Sequence, residues 1–125
     1  MFKKISTDKA PQAIGPYSQA VVSGSFVFLS GQISLEPSSG EVVKGDITVQ
    51  TRQVINNITA VLEGAGCTTE NVVKTTVYLK DIRDFGNMNL VYEEFFKSRP
   101  ARSTVEVSNL PKGVLVEIDC IAVIP

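Results

Sequence analysis

The chain has 125 residues, 43% of them apolar and 20% charged, with a formal net charge of −1. That suits one globular domain spanning 1–125 with its own core, and it argues against a nucleic-acid grip driven by bulk positive charge. There is no histidine, so a Ser-His-Asp triad, a Cys-His pair and a histidine metal site are all excluded.

Met1-Phe2-Lys3-Lys4 is not followed by the apolar run of a secretory signal. No stretch reaches the roughly 20 apolar residues of a membrane span; the best candidate, residues 114–123, is broken by Glu117 and Asp119. Cys67 and Cys120 have no metal-like spacing and read as small buried residues in a reducing, cytoplasmic setting.

The elements follow in order. Pro11 and Gly15-Pro16 mark a loop, and the chain reads as extended over 17–22. After a Ser23-Gly24-Ser25 turn, residues 26–33 read as a strand whose first four residues are apolar on both faces. Pro37 and Gly40 break the chain again. Residues 46–66 form the strongest helix signal, with Ile47, Thr51, Val54, Ile55, Ile58, Val61, Leu62 and Ala65 on one face. Asp46 suits its N-cap, and Gly66 the left-handed position past its end.

Residues 73–80 alternate as a strand, with Val73, Thr75, Val77 and Leu79 facing one way. A second helix follows Asp84, with Phe85, Met88, Val91, Tyr92, Phe95 and Phe96 as its stripe, and ends before Pro100. Two strands, 103–107 and 115–123, close the chain.

This order predicts an α+β fold: a single mixed sheet of about six strands with two helices packed on one face. The second face is apolar too and lacks cover, which predicts a homo-oligomer.

Candidate chemistry is sparse. Glu117 and Asp119 share a strand face with Leu115 and Ile121, where a carboxylate is costly unless paired or used. An ion pair or a solvated rim would also explain them. Arg102, expected at the mouth of the 103–107 strand, could grip a carboxylate with two parallel hydrogen bonds, or could be a plain surface cation. Tyr17 stands at a rigid loop exit. Ser30 and Gly31 end an apolar strand, where glycine admits a close approach or a bulge. Asn89 lies off the second helix's apolar stripe. No dinucleotide fingerprint or P-loop is present.

Together, "AIGPYSQA", "SGQI", "VVKTTVYLKD", "FFKSRPARSTVEV" and "LPKGVLVEIDCIAV" resemble the reactive intermediate deaminase (Rid) family, its RidA-type branch most closely. The resemblance implies a chorismate-mutase-like subunit and a homotrimer. Three sheets would form a central barrel, with active sites in the clefts between subunits. It implies hydrolysis of enamines and imines such as 2-aminoacrylate and 2-iminobutyrate to 2-oxo acids and ammonia, with no cofactor and no metal. Carried over by position, Arg102 would grip the substrate carboxylate and Glu117 would direct the water. Tyr17, Ser30, Gly31, Asn89 and Thr104 would line the pocket, Tyr17 on loan to a neighbouring subunit. Two departures stand out: Thr104 replaces a cysteine common in the family, and the Lys97-Ser98-Arg99 link is short. A non-catalytic small-ligand or regulatory trimer remains the alternative. An endoribonuclease or translation-inhibiting role fits the net charge and absent histidine less well.

Overall fold

The computed structural model describes residues 1–125. Helix α1, Ile47–Gly64, begins where the Asp46 carboxylate accepts the Val49 N–H at 3.0 Å, and Gly66 beyond its end adopts φ +78°. Its Val54, Ile55, Ile58, Val61 and Leu62 are fully buried. Helix α2, Phe85–Phe95, buries Met88, Val91 and Tyr92. The chain then turns through Arg99, at φ +56°, into Pro100.

Six strands form one sheet: β1 Lys3–Ile5, β2 Ala20–Ser23, β3 Phe26–Gln32, β4 Val72–Leu79, β5 Ala101–Glu106 and β6 Val116–Val123. Their order is β1-β2-β3-β6-β4-β5. Only β4 and β5 pair in parallel, because α2 carries the chain back between them. Both helices cover the same face, and a core of 23 buried residues lies between them and the sheet. The α+β architecture is the one the element order predicts. No helix is long and apolar enough to cross a membrane.

Three local readings are corrected. Strand β5 starts at Ala101 rather than residue 103, because the parallel ladder opens with Lys74 opposite Ala101; Arg102 therefore lies inside the strand. A register shift between Val72 and Lys74 buries Val72 and leaves Val73 exposed, so the expected alternation holds only from Thr75 onward. Strand β1 was not expected, because only Ile5 of its three residues is buried and no alternation can show.

The face away from the helices carries Phe26 and Phe28, paired with Val123 and Ile121, and Val105 beside Tyr78. In the single chain the three are 45%, 41% and 43% exposed. This is the uncovered apolar face that the strand pattern implied.

Candidate active site

Two clefts hold the candidate residues, one on each side of the sheet. The first is built around a break in β3. Register slips between Leu29 and Gln32, and Gly31 sits in the slip. The Glu117 carboxylate packs against its bare Cα; a Cβ there would overlap the carboxylate. Ser30 ties the strand end to the preceding loop, donating from its hydroxyl to the Ser18 carbonyl at 2.6 Å and from its N–H to the Gln19 carbonyl at 3.0 Å. Gln19 is buried and braces that loop, accepting the Thr7 N–H and donating to the Pro11 carbonyl, both at 2.7 Å. Tyr17 is thereby held at the rim, half exposed. The cleft measures about 500 Å³, and Tyr17, Ser30, Gly31, Lys112 and Glu117 line it.

Glu117 faces Tyr78 across the β6–β4 ladder. Burial pushes its carboxyl above the usual carboxylate range, and the Asp119 charge two residues along pushes the same way. The ion pairs of the chain are Arg52–Glu94 and Arg83–Asp81. Glu117 has no cation partner within the chain, which removes an intrachain Glu–Arg pair as its explanation.

The second cleft lies on the helix side, at the edge strand. Arg102 stands beside Thr75 and points over α2. Its Nη1 donates to Asn89 Oδ1 at 2.8 Å, and its guanidinium lies 4.7 Å from the Tyr92 ring centroid and 5.4 Å from that of Phe85. Tyr92 is itself fixed by a 2.7 Å hydrogen bond between its hydroxyl and that of Thr75. Aromatic faces and one amide oxygen thus orient a cation that has no acidic partner. Lys97 and Arg99 line the same opening, with Glu93 its only acid. Thr104, two residues on, points to the same face; its hydroxyl is buried and has no hydrogen-bond partner.

The single chain therefore brings together Tyr17, Ser30, Gly31 and Glu117, and separately Asn89 and Arg102 with Thr104 beneath. It does not bring the two groups to one cavity. Sequence reasoning counted Phe85 and Tyr92 as core and missed their hold on Arg102. The available signal was their spacing, since 85, 89 and 92 share one helical face. Lys112 was also missed; it turns the chain before β6 at φ +57°.

A family model described as endoribonuclease L-PSP matches residues 7–124. A RutC family protein of Pyrococcus horikoshii is 58% identical over 123 residues, covering 98% of each chain. The human 2-iminobutanoate/2-iminopropanoate deaminase is 49% identical over 120 residues, covering 95% of this chain and 88% of that one. Among solved structures, a Rid family protein from Yersinia pestis has a TM-score of 0.95 at 50% identity, covering 98% and 99% of the two chains. Escherichia coli TdcF with bound serine has a TM-score of 0.92 at 44% identity, covering 97% and 98%.

Proposed function

We propose a hydrolytic role for this chain, which belongs to the endoribonuclease L-PSP family: it converts 2-imino and enamine carboxylic acids to 2-oxo acids and ammonia. The working unit is a homotrimer, in which the Arg102 side of one copy meets the Glu117 cleft of the next. One observation carries this reading. A part-buried arginine without an acid and a half-buried glutamate without a cation open on opposite faces of one chain. Each is costly alone, and each supplies what the other side of a reaction on a small imino acid needs. The exposed Phe26, Phe28 and Val105 give the copies a surface to bury. The deaminase name of the human relative and the serine on TdcF support an amino-acid-sized ligand bearing a carboxylate.

In this reading Arg102 grips the substrate carboxylate with its free nitrogens, while Asn89 and the two rings fix its plane. Tyr17, Ser30 and Gly31 close the reacting end. The Glu117 carboxylate takes a proton from a water as that water's oxygen bonds to the iminium carbon. The resulting carbinolamine accepts the same proton on nitrogen. The C–N bond then breaks as the hydroxyl oxygen forms the carbonyl, and the hydroxyl's proton leaves with ammonia as ammonium. An iminium carbon is already electrophilic, so orientation and a proton carrier suffice without histidine. Thr104 sits where its unpartnered hydroxyl can accept a ligand contact once the cleft is complete.

The serine on TdcF also favours a second reading, ligand capture without turnover. The assay that decides couples this protein to a pyridoxal-phosphate dehydratase that releases enamines, with semicarbazide as the trap. Less semicarbazone at unchanged dehydratase turnover supports hydrolysis. Unchanged semicarbazone across several amino-acid substrates contradicts it.

A further inference from the structure

Tyr78 and Asp119 lie outside both candidate residue sets, yet they stand beside Glu117. Strand alternation puts Glu117 and Asp119 on the same, uncovered face of β6. Packing does not call for a second acid there, because the neighbouring pairs on that face, Phe28–Ile121 and Phe26–Val123, are apolar. Tyr78 is the direct cross-strand partner of Glu117, but its hydroxyl passes that residue and donates to Asp119 Oδ2 at 3.0 Å. A diagonal reach of this kind is open to a long aromatic side chain. The outcome is asymmetric: one carboxylate is held by a donor, and the other is left without one.

We infer that Asp119, held by the Tyr78 hydroxyl, is a positioning residue for the proton relay at Glu117. The inference rests on the imine-hydrolysis reading above. Two neighbouring carboxylates in unequal surroundings divide the work, one staying charged while the other exchanges a proton. The phenol's hydrogen bond holds the Asp119 carboxylate in place beside Glu117. That fixed charge makes Glu117 hold a proton more readily, so the group that deprotonates water can return the proton to the departing amine. The other groups facing Glu117 are few. Tyr78 and, farther along, Lys74 come from β4; Lys112 comes from the loop before β6; Tyr17 comes from the amino-terminal loop. Strand β3 offers Ser30 and Gly31, which carry no charge, and β5 offers Val105. The Tyr78 phenol is itself pushed above its ordinary range, first by burial and then by its bond to Asp119.

The test follows the Glu117 carboxyl by carbon NMR across a pH titration, assigned by the resonance that E117Q loses. The midpoint is expected to fall to lower pH in D119N and to stay near wild type in D119E, which keeps the charge. In kcat/KM profiles, the limb absent from E117Q should move in the same direction in D119N. An active wild-type enzyme whose Glu117 midpoint ignores D119N overturns the assignment of Asp119 alone. A wild-type protein that accelerates no imine overturns the hydrolase reading and the relay with it.

Discussion

Arg102 and Glu117 leave the sheet through opposite faces of the same chain. Arg102 stands beside Thr75 and lies over Tyr92 of α2, whereas Glu117 stands opposite Tyr78 and lies against Gly31. Within one subunit they line separate clefts. Under the proposed assembly, the pairing that the sequence motif suggests becomes a relation between copies, and the exposed Phe26, Phe28 and Val105 supply the surface that brings them together.

Removing the guanidinium tests the carboxylate grip. R102A should lose about 3 kcal/mol of transition-state binding, roughly a hundredfold in kcat/KM, because a charged two-point contact disappears. R102K should recover only part of this, since lysine is a point charge without the planar fork. Steady-state rates on an imine generated in place by an amino-acid oxidase would show it. Equal rates for R102A and wild type would mean that Arg102 is a surface cation.

Glu117 should matter to activity and to stability in opposite senses. E117Q should lower kcat by about a hundred- to ten-thousandfold, the range of a positioned proton carrier. Its carboxyl is raised on folding, so the folded state binds its proton more tightly than the unfolded state. The stability it contributes is full below the unfolded carboxylate range and is lost as pH rises through the raised folded value. At neutral pH E117Q should melt no lower than wild type, and its Tm should fall less steeply as pH rises from acid. Calorimetry showing E117Q less stable at neutral pH would indicate a structural ion pair instead.

Gly31 is a matter of space. Because a Cβ would overlap the Glu117 carboxylate, the end of a flexible side chain, G31A should fold with a small change in Tm. The carboxylate must move aside, and activity should drop by at least tenfold, as misplaced catalytic groups do. A G31A protein with full activity would show that Glu117 need not occupy this position.

Much of this was legible from residue pattern. The 3.6-residue stripe and caps of α1, and the alternation along β6, placed the core and put Glu117 on the opposite face. Which residues share a cleft was not legible. Arg102 faces the helices because the parallel β4–β5 ladder opens with Ala101 opposite Lys74, which sets Arg102 beside the buried Thr75. The role of Tyr92 and Phe85 was hidden for the same reason: an aromatic stripe on a helix reads as core until an arginine is seen lying on it.

Phe28 tests the assembly away from either cleft. It is 41% exposed in the single chain, and its side chain contacts Phe26 on the uncovered face. F28D should turn the oligomer into monomers by light scattering, since a charge at an apolar interface is not compensated. Activity should vanish with the oligomer while the helical circular dichroism signal persists. An F28D protein that elutes as the wild-type oligomer would place the interface elsewhere.

The most direct measurement is complementation between two inactive variants. R102A and E117Q, co-expressed and purified as mixed oligomers, each retain the residue the other lacks. If each site takes Arg102 from one copy and Glu117 from the next, random mixing restores about a quarter of the wild-type rate, the chance that one cleft draws both intact residues in a closed ring. Mixed oligomers with no more activity than the two variants measured separately would contradict a site shared between copies.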